Sequence, residues 1–227
     1  MAVSALAPPG PAIFLDKDGT LIDDVPWNVD PAAMRLAPGA AAGLARLGAS
    51  AVTAAMPLVV ITNQPGVALG RFAESALIGV RARLAQMMAA AGARLTGFYH
   101  CPHAPAPRGA APHCRCRKPA PGLLLRAAAT FGIDLARSWM IGDILDDVEA
   151  GRRAGCRTIL LDRGNETLWE SGPYAQDGHD LQGVQGVQGV QDGARLPLRR
   201  PDFVVRDLEA AAITIDLLGR HSAGQRA

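Results

Sequence analysis

Ala12-Ile-Phe-Leu-Asp16-Lys-Asp-Gly-Thr20 joins a short apolar run to a turn that carries two carboxylates and a glycine. The run does not alternate, as expected of a strand buried on both faces of a parallel sheet. Asp16 and Asp18 fall where the chain leaves that strand. Four similar runs follow: Leu58-Val-Val-Ile-Thr62, Trp139-Met-Ile-Gly-Asp143, Thr158-Ile-Leu-Leu-Asp162 and Phe203-Val-Val205. Between them, helical patterns are expected at 38–48, 73–92, 121–132, 145–155 and 207–219. Alternating strands and helices predict an α/β fold with a doubly wound parallel sheet.

Ligands of such sheets bind beyond the carboxyl ends of the strands. Polar residues sit at those ends: Asp16 and Asp18, then Thr62 and Asn63, then Asp143. Three separate runs thus send polar groups to one edge. An aspartate there can attack phosphorus and form an acyl-phosphate, and a second can pass a proton to the leaving oxygen. Carboxylates facing a phosphate repel it, so a hard divalent cation is needed, and Mg²⁺ suits a few carboxylates plus phosphate oxygens. Asp143 would supply a further metal ligand. Taken alone, Asp16-Lys-Asp-Gly-Thr20 is also an ordinary Asp-rich turn.

The chain has 227 residues, 49% of them apolar and only 4% aromatic, so Ala, Val, Leu and Ile must fill the core. The formal charge of +2 and a pI near 8.5 give no basic stripe for nucleic acid. The apolar run over 51–61 is too short to span a bilayer and contains Pro57. The start, Met1 to Pro11, lacks the basic residues of a signal peptide. A cytoplasmic monomer is expected, organised as one domain over 1–227, with no membrane or nucleic-acid partner.

Two stretches break the rhythm. Residues 163–200 are polar and Gly-rich, with the near-repeat GVQGVQGVQ at 183–191, and read as a low-complexity insertion that is disordered or forms a flap. Residues 101–118 hold three of the four cysteines among many prolines. Clustered cysteines without an export signal point to metal rather than disulfides. Cys101-x-His103 and Cys114-x-Cys116 form two close pairs, and a Cys₃His set suits tetrahedral structural Zn²⁺. His100 and His113 are competing ligands. Cys156 reads as a packed core thiol.

The first segment resembles the DxDGT signature of the haloacid dehalogenase superfamily of phosphatases. The other motifs follow in order: Ile61-Thr62-Asn63-Gln64, then Cys116-Arg117-Lys118-Pro119, then Gly142-Asp143 with Asp146 and Asp147. The likeness covers roughly residues 12–162. NQPGVALGRF at 63–72, CPH at 101–103, CRCRKPAPG at 114–122 and MIGDILDD at 140–147 narrow it. They resemble the subgroup that dephosphorylates D-glycero-D-manno-heptose 1,7-bisphosphate during assembly of lipopolysaccharide precursors, which also includes histidinol-phosphate phosphatases. Leu69 and Ile144 stand where that subgroup often has basic residues, and the 163–200 insertion is longer than usual.

The resemblance implies roles. Asp16 is the nucleophile, and Asp18 the acid and base with its backbone carbonyl on Mg²⁺. Thr62 and Lys118 hold the phosphoryl group, Asp143 completes the metal site, and Asn63 and Arg117 lie near a phosphorylated sugar. The CxH pattern selects His103 beside Cys101, Cys114 and Cys116 for zinc. The space between the first strand and the second motif is too short for a large cap domain. Competing readings are a histidinol-phosphate phosphatase and an inert zinc-containing binding module. Trp27 and Asn28 are candidates for the pocket wall, and Arg199 and Arg200 for a second phosphate.

Overall fold

The computed structural model describes residues 8–106, 114–164 and 196–224. Six strands form one parallel sheet: β1 (Ile13–Leu15), β2 (Leu58–Asn63), β3 (Leu95–Cys101), β4 (Trp139–Gly142), β5 (Arg157–Leu161) and β6 (Phe203–Val205). Their order across the sheet is β3-β2-β1-β4-β5-β6. Both neighbours of β1 are in register with it, Ile13 opposite Leu58 on one side and Trp139 on the other. The direction of winding reverses between β1 and β4, which is where such sheets open a crevice.

The unbroken apolar runs reflect two cores. Along β1, Ile13 and Leu15 face one layer and Phe14 the other. Leu58 and Val60 share the first layer, and Val59 and Ile61 the second. Helices α1 (Ala40–Ala49), α2 (Ala76–Ala90) and α5 (Leu208–Gly224) cover the first face through Leu44, Leu84 and Ile215. Helices α3 (Gly122–Phe131) and α4 (Leu145–Ala154) cover the second through Leu124 and Ala150. With period 2 along the strand, every position of the central strands β1 and β4 is buried on one face or the other.

The predicted strands and helices all form, with ends shifted by a few residues. One strand was not anticipated. Leu95-Thr-Gly-Phe-Tyr-His-Cys101 pairs with β2 along the sheet edge, and most of it is only half-buried. Its polar and glycine residues disguise it, because an edge strand need not be continuously apolar. The correction matters for the cysteine loop. Cys101 ends a strand and is fully buried, so the loop starts from the sheet rather than floating free of it.

Among the described residues no cap domain intervenes between β1 and β2, where only a short 3₁₀ turn and α1 occur. Most of the 163–200 insertion, and residues 107–113 with His113, lie outside the described residues. Leu196–Arg199 makes a 3₁₀ turn. Arg199 donates there to Asp146 of α4 at 3.0 Å. No helix among the described residues is long and apolar enough to cross a membrane.

Candidate active site

Asp16 is the first residue beyond β1, and its N–H donates to the Ile141 carbonyl of β4 at 2.9 Å. That bond ties the carboxylate to the strand across the winding reversal. Thr62 lies near the end of β2, and Asp143 directly follows β4. All three are buried. With Asp18, Asn63, Gln64, Arg117 and Lys118 they line one open cavity of about 440 Å³. Three strand ends therefore converge, as the sequence pattern suggests.

The carboxylates of Asp16, Asp143 and Asp147 offer oxygens within 4.8 Å of one another. Lys118 answers them. It is 2% exposed, and its Nζ lies 2.5 Å from Asp16 and 2.6 Å from Asp147. It also donates to the Ile61 carbonyl at 3.0 Å. Burial alone would lower the Lys118 pKa, but the Asp147 and Asp16 carboxylates hold it above its ordinary value. Asp147 is fully buried, and that burial pushes its carboxyl well above the usual range despite Lys118. Three clustered carboxylates, two of them in contact with Lys118, suit a hard divalent cation with oxygen ligands.

Asp147 is separated here from its neighbour Asp146. The fourth motif contains both, but α4 turns Asp147 into the cluster and Asp146 toward Arg199. Spacing along a helix decides this, since consecutive residues point about 100° apart. Gly142 makes room. A Cβ there would run into the Asp147 carboxylate. Gly142→Ala is therefore expected to displace Asp147, at a cost of about 1–3 kcal/mol in stability. Thermal melting and kcat measured together check this, and both should fall.

Asp18 points into the cavity without joining the carboxylate cluster. Lys17 Nζ donates to its Oδ1 at 2.6 Å and Gln64 Nε2 to its Oδ2 at 2.9 Å. Burial raises its carboxyl above the ordinary value, which suits a group that must deliver a proton. Gln64 was not singled out from the sequence. Its Nε2 also donates to Thr62 Oγ1 at 2.9 Å, so one amide orients two site residues. Its place directly after Thr62-Asn63 at a strand end was the available signal. Thr20 was also missed, and its hydroxyl donates to Asp143 at 3.0 Å.

Asn63 and Arg117 both reach the cavity wall, with qualifications. The Asn63 side chain clamps the Lys118 backbone, accepting from its N–H at 3.0 Å and donating to its carbonyl at 3.2 Å. It positions the lysine as well as lining the pocket. Arg117 donates to the His103 carbonyl at 3.2 Å, which links the cavity to the cysteine loop.

In that loop Cys101, His103, Cys114 and Cys116 place one donor atom each within 4.8 Å of the others. Cys116 Sγ is 3.2 Å from Cys101 Sγ and 3.3 Å from His103 Nδ1, and Cys101 Sγ is 3.7 Å from Cys114 Sγ. A tetrahedron with Zn–S bonds of about 2.3 Å has edges of roughly 3.8 Å. The four donors thus already lie near a tetrahedral frame, and none of the cysteines is in a disulfide. His100, the rival ligand, turns away to Glu74 at 2.7 Å. Cys156 is buried in the second core, as anticipated.

A buried aspartate at a strand end, a lysine that pairs it with a second buried carboxylate, and an acidic cluster able to hold a metal ion are the parts a phosphoryl-transfer site requires. Comparison with known proteins agrees. Residues 115–211 match the HAD-hydrolase-like family model. The D-glycero-β-D-manno-heptose-1,7-bisphosphate 7-phosphatase of Mesorhizobium japonicum is 39% identical over 147 residues, 64% of this chain and 66% of that protein. The enzyme of the same name from Yersinia pestis is 35% identical over 74% of this chain and 88% of its own length. The crystal structure of D,D-heptose 1,7-bisphosphate phosphatase from B. bronchiseptica, complexed with magnesium and phosphate, superposes with a TM-score of 0.65. It is 29% identical and is aligned over 90% of this chain and 97% of that one. The chain belongs to the HAD-like phosphatases, within the group that these heptose-bisphosphate phosphatase relatives form.

Proposed function

We propose that the protein removes the C7 phosphate of D-glycero-D-manno-heptose 1,7-bisphosphate. The observation that carries the phosphatase chemistry is Lys118 buried between Asp16 and Asp147 at the end of three converging strands. The relatives' names support the choice of sugar.

In the first step a carboxylate oxygen of Asp16 attacks phosphorus. The bond from phosphorus to the sugar oxygen breaks, and Asp18 gives that oxygen its proton. In the second step Asp18 takes a proton from water, whose oxygen attacks the phosphorus of the aspartyl-phosphate. Inorganic phosphate leaves and Asp16 is restored. Thr62 and Lys118 hold the transferring group, Gln64 keeps Asp18 and Thr62 aimed at it, and Asn63 and Arg117 flank the sugar. Mg²⁺ held by the Asp16 and Asp143 carboxylates and the Asp18 backbone carbonyl would neutralise phosphate charge. Asp147 lies within the same carboxylate cluster, paired with Lys118.

The reading is tested by assaying phosphate esters with Mg²⁺. Heptose 1,7-bisphosphate should be turned over with a kcat/KM at least tenfold above histidinol phosphate or simple alkyl phosphates. Brisk hydrolysis of histidinol phosphate with none of the heptose would reassign the substrate and keep the chemistry.

The Cys101, His103, Cys114 and Cys116 set is proposed to hold one structural Zn²⁺. Its role is to fix Arg117 and Lys118, which directly follow the last ligand. Cys116→Ser is the informative variant because Cys116 is only half-buried, so lost packing is small. It should empty the site of zinc by elemental analysis and lower stability by about 2 kcal/mol, or roughly 4–8 °C in Tm.

A further inference from the structure

The cavity has two unlike halves. Part of its lining is charged, and part is apolar, from Val25, Pro26, Trp27 and Phe72. None of those four carries a charged side chain that would neutralise a phosphoryl group. Trp27 is 46% exposed, so much of its indole meets water. Its φ is 61°, and no other non-glycine residue among the described residues has positive φ. A bulky side chain there is strained and persists only where its surroundings impose it. Exposure and strain thus fall on one residue at the mouth of the site.

Its neighbours hold it in place. The Arg71 guanidinium carbon lies 5.9 Å from the indole centroid, within cation–π range. The Arg71 N–H donates to the Gly66 carbonyl at 2.8 Å. A Cβ on Gly66 would collide with the Phe72 ring, so that turn is packed tightly. On either side of Trp27 in sequence, Asp24 and Asn28 line the same cavity and offer polar groups to hydroxyls.

We propose that Trp27 is the platform on which the sugar ring of the substrate stacks, and that it sets the preference for sugar phosphates over smaller esters. The inference rests on the sugar-phosphate reading above. A pyranose has a face of C–H groups that suits an aromatic ring and a rim of hydroxyls that suits Asp24 and Asn28. A short alkyl or acyl phosphate reaches Asp16 without touching the indole.

Trp27→Gly tests this cleanly, because glycine adopts positive φ without strain. The fold should keep its Tm or gain. The ratio of kcat/KM for the sugar phosphate to kcat/KM for acetyl phosphate should fall about tenfold, mostly through KM. Trp27→Phe should restore most of that ratio. An unchanged ratio overturns the platform, as does an equal loss on both substrates or a loss accompanied by a lower Tm. If the wild type ignores heptose bisphosphate but hydrolyses another sugar phosphate, the substrate named above fails. The platform is then judged by the same ratio on that sugar. Failure to hydrolyse any sugar phosphate overturns both.

Discussion

Asp16→Asn is expected to reduce turnover by about 10⁴-fold or more while leaving the fold as stable as before. The amide keeps the size and planarity of the carboxylate but is a far weaker nucleophile. The stability half of the result follows from charge. The carboxylates of Asp16, Asp143 and Asp147 crowd one another, so removing one anion relieves repulsion as well as losing the 2.5 Å contact to Lys118. Melting in the presence of a chelator should therefore show a Tm equal to or above that of the wild type. Turnover within tenfold of the wild type would dismiss Asp16 as nucleophile. A collapsed Tm would instead show that its contact to Lys118 outweighs the crowding.

That charge balance explains which parts of the site could be read from the sequence. Asp16, Thr62 and Asp143 stand at ends of apolar runs, and the sheet itself brings such ends together. Their convergence needs only strand order. Lys118 lies 102 residues from Asp16 and on no strand. Nothing in periodicity places it there, and only the resemblance to a motif did. The structure supplies the physical reason: Asn63 grips its backbone from β2, and the cysteine loop ends beside it. Gln64 and Thr20 act on other site residues, so no chemical pattern of their own marks them. β3 escaped because a half-buried edge strand relaxes the hydrophobic demand that reveals the others. Arg199, at the end of the 163–200 stretch, meets Asp146 of α4, a contact that no spacing in the sequence announces.

Arg117 and Lys118 connect the two proposed metal sites. Four donors near a tetrahedral frame begin at the end of β3 and finish at Cys116. The next residue donates to the backbone of His103, and the one after that meets Asp16. A structural ion placed there would stiffen the approach of Lys118 to the carboxylates without touching substrate. The two sites should therefore couple in one direction. Zinc loss should raise KM and lower kcat through Lys118, whereas magnesium loss should leave the cysteine cluster unchanged.

Lys118→Met is expected to have the largest effect on stability. Methionine matches much of the lysine stem and removes its charge, taking from Asp16 and the fully buried Asp147 the cation that contacts both. Deleting one partner of a buried pair costs about 3–5 kcal/mol, because the remaining charge stays desolvated. Turnover should also drop by roughly 10²–10³-fold, since a preorganised contact to the transferring oxygens is gone. The distinguishing measurement is Tm with and without magnesium. A divalent ion binds the carboxylates whose repulsion the substitution exposes, so added Mg²⁺ should raise the Tm of Lys118→Met more than that of the wild type. Binding to the folded state stabilises by RT ln(1 + [L]/Kd), and the variant's cluster should have the lower Kd. An equal magnesium shift in both proteins would mean that Lys118 and the metal do not share these carboxylates. A Tm for Lys118→Met within a degree of wild type in chelator would mean that Asp147 takes up a proton when its partner leaves, as its raised pKa allows.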